Sequence, residues 1–181
     1  SRSAFLRGSY SRAGWVSFFP YAFAVKTPLA AFGLWAVAAL CAVTHWRRAA
    51  RDGSGGRAVA LSLYRTAPLW VLIGVYGWAS ITSQLNIGHR HLLVLYPALY
   101  VLAGAAAGTT AVGGRLRGGV VAALLAAFAL ESFFVRPHYL AFFNALAGGP
   151  RNGHRHLVDS SLDWGQDLAG LARWLRAEGL G

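Results

Sequence analysis

A chain of 181 residues in which 56% are apolar and 13% charged has too little polar surface to cover a water-soluble fold, where charge runs near 25%. Its formal charge of +11 comes from 17 Lys+Arg against 6 Asp+Glu, and these cations lie between apolar runs, with no single basic stripe interleaved with aromatics. That distribution argues against nucleic acid and for anionic lipid headgroups. The lone Cys41 excludes an internal disulfide and reads as a small buried residue.

The chain begins Ser1-Arg2-Ser3, holds no Met, and shows no signal peptide ahead of its first apolar run, so truncation upstream is expected. Next comes an aromatic stretch, Tyr10 to Tyr21, of the kind that forms an interfacial belt, and Lys26 at the membrane boundary is placed to meet a lipid phosphate. Four apolar runs then predict membrane-spanning helices at about 27–44, 66–83, 92–112 and 118–135, making 1–135 a transmembrane helical domain. Their unbroken apolar character excludes the alternation of a barrel. The third run is free of charge and contains Gly104, Ala105, Ala106, Ala107 and Gly108, small residues that let a neighbouring helix approach closely. The fourth carries one acid, Glu131.

Arginines set the predicted orientation. Arg47, Arg48, Arg51, Arg57 and Arg65 fall between the first two runs and Arg115 and Arg117 between the last two, whereas Arg90 is the one full cation between the second and third. The positive-inside rule makes the first two connections cytoplasmic and puts both ends of the chain outside, with the turn at 86–91. Beyond the fourth run, 136–149 is short, aromatic and closed by Gly148-Gly149-Pro150, which predicts an interfacial helix. The polar remainder, 150–181, is expected to be an extracytoplasmic segment, the start of a truncated soluble domain. Leu168, Leu171, Ala172 and Leu175 mark a short amphipathic helix within it. The expected fold class is an all-α membrane protein of about four transmembrane helices plus these two shorter ones.

No P-loop, dinucleotide fingerprint, nucleophile elbow or zinc-type Cys/His spacing is present. Candidate chemistry gathers on the predicted outer face. His89-Arg90-His91, at the start of the third helix, suits an anionic phosphate through a guanidinium fork and free helix N–H groups. The competing reading is that Arg90 merely snorkels to headgroups. A zinc site on the two histidines lacks further ligands. Gly153-His154-Arg155-His156-Leu157 repeats Gly88-His89-Arg90-His91-Leu92, a match that carries little weight as a true repeat. Asp159, Asp163 and Asp167 could bind a cation or act as acid and base, but helix capping by Asp163, with Asp167 in the first turn, is the simpler reading.

Four segments resemble one family. They are Gly14-Trp15 through Phe19-Pro20-Tyr21-Ala22-Phe23-Ala24-Val25-Lys26-Thr27-Pro28-Leu29; Asn86-Ile87-Gly88-His89-Arg90-His91-Leu92-Leu93 with Tyr96-Pro97; Pro137-His138-Tyr139-Leu140-Ala141-Phe142-Phe143-Asn144 with Gly148-Gly149-Pro150; and Asp159-Ser160-Ser161-Leu162-Asp163-Trp164-Gly165-Gln166-Asp167-Leu168. In this order they resemble bacterial membrane glycosyltransferases related to the dolichyl-phosphate-mannose–protein mannosyltransferases, of the C-type glycosyltransferase fold. The triplet His154-Arg155-His156 departs from the aromatic and basic residues expected there.

The resemblance implies an inverting transfer of sugar from a polyprenyl-phosphate carrier to an unidentified acceptor, at the outer face of a bacterial inner membrane. The acidic residue that serves as base in such enzymes would lie upstream of Ser1, so no catalytic residue is expected here and the chain alone should be inactive. Arg90, His89 and His91, then Lys26, become the donor-phosphate candidates. Asp159, Asp163, Trp164, Gln166 and Asp167 become acceptor-side or structural ones. Expected partners are the lipid-linked sugar and membrane lipids, with no nucleic acid. No cofactor or metal site is predicted, and a divalent-metal requirement is left open. The alternative is a transporter or a lipid-binding or structural subunit without chemistry. Polar groups at one outer face rather than the midplane favour the enzyme.

Overall fold

A computed structural model describes residues 3–83, 86, 88–108 and 114–180. A small antiparallel hairpin, β1 (Ala4–Leu6) and β2 (Ser9–Ser11), opens the chain and pairs Ala4 with Ser11. The all-α expectation did not include it. Among the described residues six helices follow: α1 (Phe18–Lys26), α2 (Leu29–Arg51), α3 (Gly55–Thr82), α4 (Leu95–Gly108), α5 (Gly114–Phe134) and α6 (Leu168–Ala177). Short 3₁₀ turns occupy His89–Leu92, Tyr139–Ala141, Ala145–Ala147, Pro150–Arg155 and Asp159–Ser161.

Among the described residues three helices, α2, α3 and α5, are long and apolar enough to cross a membrane. At 1.5 Å per residue they reach roughly 35, 42 and 31 Å, against about 30 Å of hydrocarbon. The apolar windows of α3 and α5 have no residue buried inside the protein. Exposed Val71, Val75, Trp78, Leu125, Leu130 and Phe133 therefore require lipid as their solvent. α4 is shorter, about 21 Å, and the part of the expected third span at 109–112 lies outside the described residues.

The helix ends differ from the expected boundaries for local reasons. Pro20 sits in the first turn of α1, where a missing N–H costs nothing, and Thr27 before Pro28 is extended at ψ 132, so a break separates α1 from α2. The first two spans do not stop at the arginines. α2 runs on through Arg47, Arg48 and Arg51, and α3 starts at Gly55, leaving 52–54 as the whole connection instead of a loop over 45–65. Arginine is a good helix former, so a helix leaving the membrane continues through such a stretch. The turn is closed by Gly53 at φ +75, and a Cβ on Gly55 would come 2.7 Å from the Ala50 Cα.

The interfacial helix expected over 136–149 is also corrected. Its residues form two single 3₁₀ turns around an extended Phe142–Asn144 strand-like step. The step drives Phe143 into the core at 1% exposure and aims Asn144 at the end of α1, which a continuous helix would not permit. The amphipathic helix expected from Leu168 is present as α6.

α2 packs on α3, α4 and α5. At its crossing with α5 a Cβ on Gly33 would lie 2.7 Å from Leu124 Cδ2, so the glycine sets the approach. The buried core cluster draws only Leu95, at the start of α4, from the long helices. Leu6, Phe18, Phe19, Ala22, Val25, Leu92, Leu95, Phe143, Ala147 and Leu157 form it, gathering β1, α1 and the 3₁₀ turns at the end of the bundle where α2 and α4 begin and α3 and α5 finish.

Candidate functional site

The site grows out of the C-terminal end of α1. Its last carbonyls have no helical partner and need one. Asn144 Nδ2 donates to Ala24 O at 2.7 Å and Thr27 O at 2.9 Å, while the Asn144 backbone N–H donates to Val25 O at 2.9 Å. Asn144 Oδ1 accepts from the Ala147 N–H at 3.1 Å, so one 2%-exposed side chain locks the segment after α5 to α1.

Lys26 makes a second tie. It is buried, its ammonium donates to Leu140 O at 2.6 Å and to Ser161 O, and it lies 4.3 Å from the centroid of the Phe143 ring. Burial pulls its pKa down to about 8. This is a different setting from the headgroup contact expected of Lys26: its donors are engaged by main chain from two distant segments.

The second segment closes on the same place. Asn86 Oδ1 accepts from the Trp15 N–H at 2.6 Å. A Cβ on Gly88 would stand 2.6 Å from Ser160 Oγ, so the absence of a side chain there lets the two turns touch. Buried Thr27 shares a 2.6 Å hydrogen bond with the Tyr96 hydroxyl, which meets His89 Nε2 at 2.8 Å. Burial first, and the nearby Lys26 charge second, pull the His89 pKa down to about 4, so the ring is neutral at pH 7. His91 lies edge-on to Phe19 at 6.2 Å. The Nε2 of His91 and the Oγ of Ser161 are buried and meet no hydrogen-bond partner among the described residues.

Arg90 differs from its two neighbours. Its guanidinium sits over the Trp164 ring, 4.3 Å from the centroid, with Trp164 itself 66% exposed. The described residues give Arg90 no ion pair. The ring contact leaves guanidinium N–H donors for an anion at the molecular surface.

The carboxylates disperse. Asp159 is exposed, with backbone φ 58. Asp163 does not cap the helix as expected, because α6 begins five residues later; its Oδ1 accepts from the Gly165 N–H at 3.0 Å in a local turn. Asp167 occupies the N-cap position without capping, and its carboxylate pairs instead with His138 Nδ1 at 2.9 Å. Gln166 Oε1 accepts from the Trp164 N–H at 2.6 Å and so holds the indole-bearing turn. Among the described residues no three His, Cys, Asp or Glu side chains converge as metal ligands.

The two Gly-His-Arg-His-Leu pentads share a physical pattern. Each overlaps a 3₁₀ turn, each ends in a core leucine (Leu92, Leu157), and each opens on a glycine whose Cβ would collide, Gly153 meeting Phe143 Cε2 at 2.5 Å. Their arginines diverge, since Arg155 is exposed and without the indole that Arg90 has. His156 is tied internally. Its Nε2–H donates to Ala147 O at 2.9 Å and its Nδ1 accepts from Tyr21, whose hydroxyl burial keeps protonated by pushing its pKa up.

Thus the described residues of 14–29, 86–97 and 137–150, separated in the chain by pairs of long apolar helices, meet with 159–168 in one cluster at one end of the bundle. No family model, curated protein or solved structure matches the chain. Sequence reasoning missed Asn144, Thr27 and Tyr96 as framework residues and Trp164 as the partner of Arg90. A polar Asn closing an aromatic run and a Tyr-Pro at a helix start were the available signals.

Proposed function

We propose that this chain is the membrane portion of a polyprenyl-phosphate-sugar-dependent glycosyltransferase, a multi-pass protein of a bacterial inner membrane, with α4 as a fourth span and both ends extracytoplasmic. In this reading sugar leaves the carrier at the outer face, and none of the acidic residues among these 181 is assigned the role of activating the acceptor. The observation that carries the proposal is the convergence of the four resembling segments on one end of the bundle, with Arg90 over exposed Trp164 at its surface.

Within this reading Arg90 is the phosphate ligand. His89 is neutral and engaged by Tyr96, and Lys26 is engaged by two carbonyls, so both serve the framework that positions Arg90. The Trp164 ring holds the guanidinium over a surface where a lipid headgroup can reach its N–H edge. As the carrier phosphate departs it gains charge, and a fixed guanidinium stabilises that charge more than the ground state. Unpaired buried atoms such as His91 Nε2 and Ser161 Oγ are rare in folded proteins, and a polar ligand entering the cluster would satisfy them.

Binding of a polyprenyl-phosphate-linked sugar to the full-length protein tests this. Arg90→Ala should weaken it about ten- to a hundredfold, the loss of one charge-assisted contact of roughly 1.5–3 kcal/mol. Arg90→Lys should recover only part, since an ammonium keeps the charge and loses the fork. Wild-type binding by both variants would reduce Arg90 to a membrane anchor and remove the site.

A further inference from the structure

We infer that α6 lies in the outer headgroup layer of the membrane and binds anionic phospholipid, with Leu168, Leu171 and Leu175 immersed and Arg173 and Arg176 at phosphate level. None of the residues of α6 is buried, and Leu168, Leu171 and Trp174 are 61%, 48% and 54% exposed. At 100° per residue, Leu168, Leu171, Ala172 and Leu175 share one face. Trp174 falls at one edge of it, Arg176 at the other, and Arg173 beyond. An apolar stripe flanked by an indole and arginines is the composition of a helix that lies in an interface. A helix of 10 residues cannot hold an open leucine face in water without cover.

The cover is identified by where α6 is tethered. Asp167, at its N-cap, pairs with His138 at 2.9 Å, and His138 is four residues beyond the last residue of α5. Because α5 is long and apolar enough to cross a membrane, its end is taken as the membrane boundary, and four residues of chain span at most about 14 Å. The aromatics around that tether, Phe133, Phe134 and Tyr139, are 65%, 80% and 58% exposed, as in an interfacial belt. The start of α6 is thus held at headgroup depth beside a belt that already faces lipid. Its arginines match the charge of anionic headgroups. The inference rests on the membrane-crossing helices and not on the proposed transfer chemistry.

Spin labels read the depth directly. The full chain carrying Cys41→Ser takes a single label at Leu171→Cys or Arg173→Cys and is reconstituted into vesicles of phosphatidylethanolamine and phosphatidylglycerol. Relaxation by oxygen, concentrated in lipid, is compared with relaxation by a water-soluble nickel chelate. Position 171 should favour oxygen several-fold over nickel, and position 173 the reverse. Equal nickel access at both positions would overturn the inference by placing α6 in water. Protection of position 171 from both reagents would overturn it by placing protein, a second copy or another domain, on that face. Arg173→Glu with Arg176→Glu should raise nickel access at 171, and an unchanged value would overturn the contact with anionic phospholipid.

Discussion

Two titratable side chains show how far burial governs this site. His89 is pulled from 6.5 to about 4 and Lys26 from 10.5 to about 8, in each case chiefly by removal from water. Between its shifted and ordinary pKa each group is protonated in the unfolded chain and neutral in the folded one. The unfolded state then binds more protons, and stability rises with pH across the window. Thermal unfolding in detergent should therefore show stability rising from about pH 4 to 6.5 through His89, by on the order of 3 kcal/mol, and again from about pH 8 to 10.5 through Lys26. His89→Gln should flatten the acid limb alone. A wild-type profile level from pH 4 to 6.5 would contradict the burial of His89 in this cluster. Neither shift was legible in the sequence, because His89-Arg90-His91 reads as three equivalent basic groups until Tyr96 and Thr27 are brought to one of them.

At the scale of elements, the sequence located the long helices, missed α1 within the aromatic stretch, and placed the helix ends poorly. Long apolar runs locate α2, α3 and α5 because lipid tolerates little else. Continuation of α2 to Arg51 depends on helix propensity beyond the membrane, which hydropathy does not see. The stretch 136–149 misled because its apolar residues suit a helix, whereas tertiary hydrogen bonding to α1 selects turns. Asn144 is the residue that enforces this choice. Asn144→Ala would strand the Ala24 and Thr27 carbonyls, while the Ala147 N–H keeps the backbone carbonyl of residue 144, and should cost about 3 kcal/mol by the same unfolding measurement. A cost within about 0.5 kcal/mol would mean that water or other groups already satisfy the end of α1.

For the whole molecule, the long helices contribute a lipid-facing scaffold and the small core at one end contributes the site. That division accounts for the composition: apolar residues go to the helix surfaces, and buried polar ties such as Lys26 and Asn144 concentrate where four segments cross. The proposed orientation puts this core outside. Single cysteines at Asp163 and Arg115, both exposed, should react with an impermeant reagent from opposite sides, Asp163 from outside. Labelling of position 115 from outside would invert the topology. Asn86, although in the outer turn, is 4% exposed and makes a poor probe.

The central claim is that this outer cluster recognises the phosphate of a lipid-linked sugar through Arg90. The most direct measurement compares the affinity of the full-length protein for a polyprenyl-phosphate-linked sugar with that for the neutral polyprenol of equal length, in wild type and in Arg90→Ala. Wild type should prefer the phosphate-bearing lipid by at least about tenfold, a difference of roughly 1.4 kcal/mol, and the variant should lose most of that preference while binding the neutral lipid unchanged. An equal preference in wild type and variant would contradict the account.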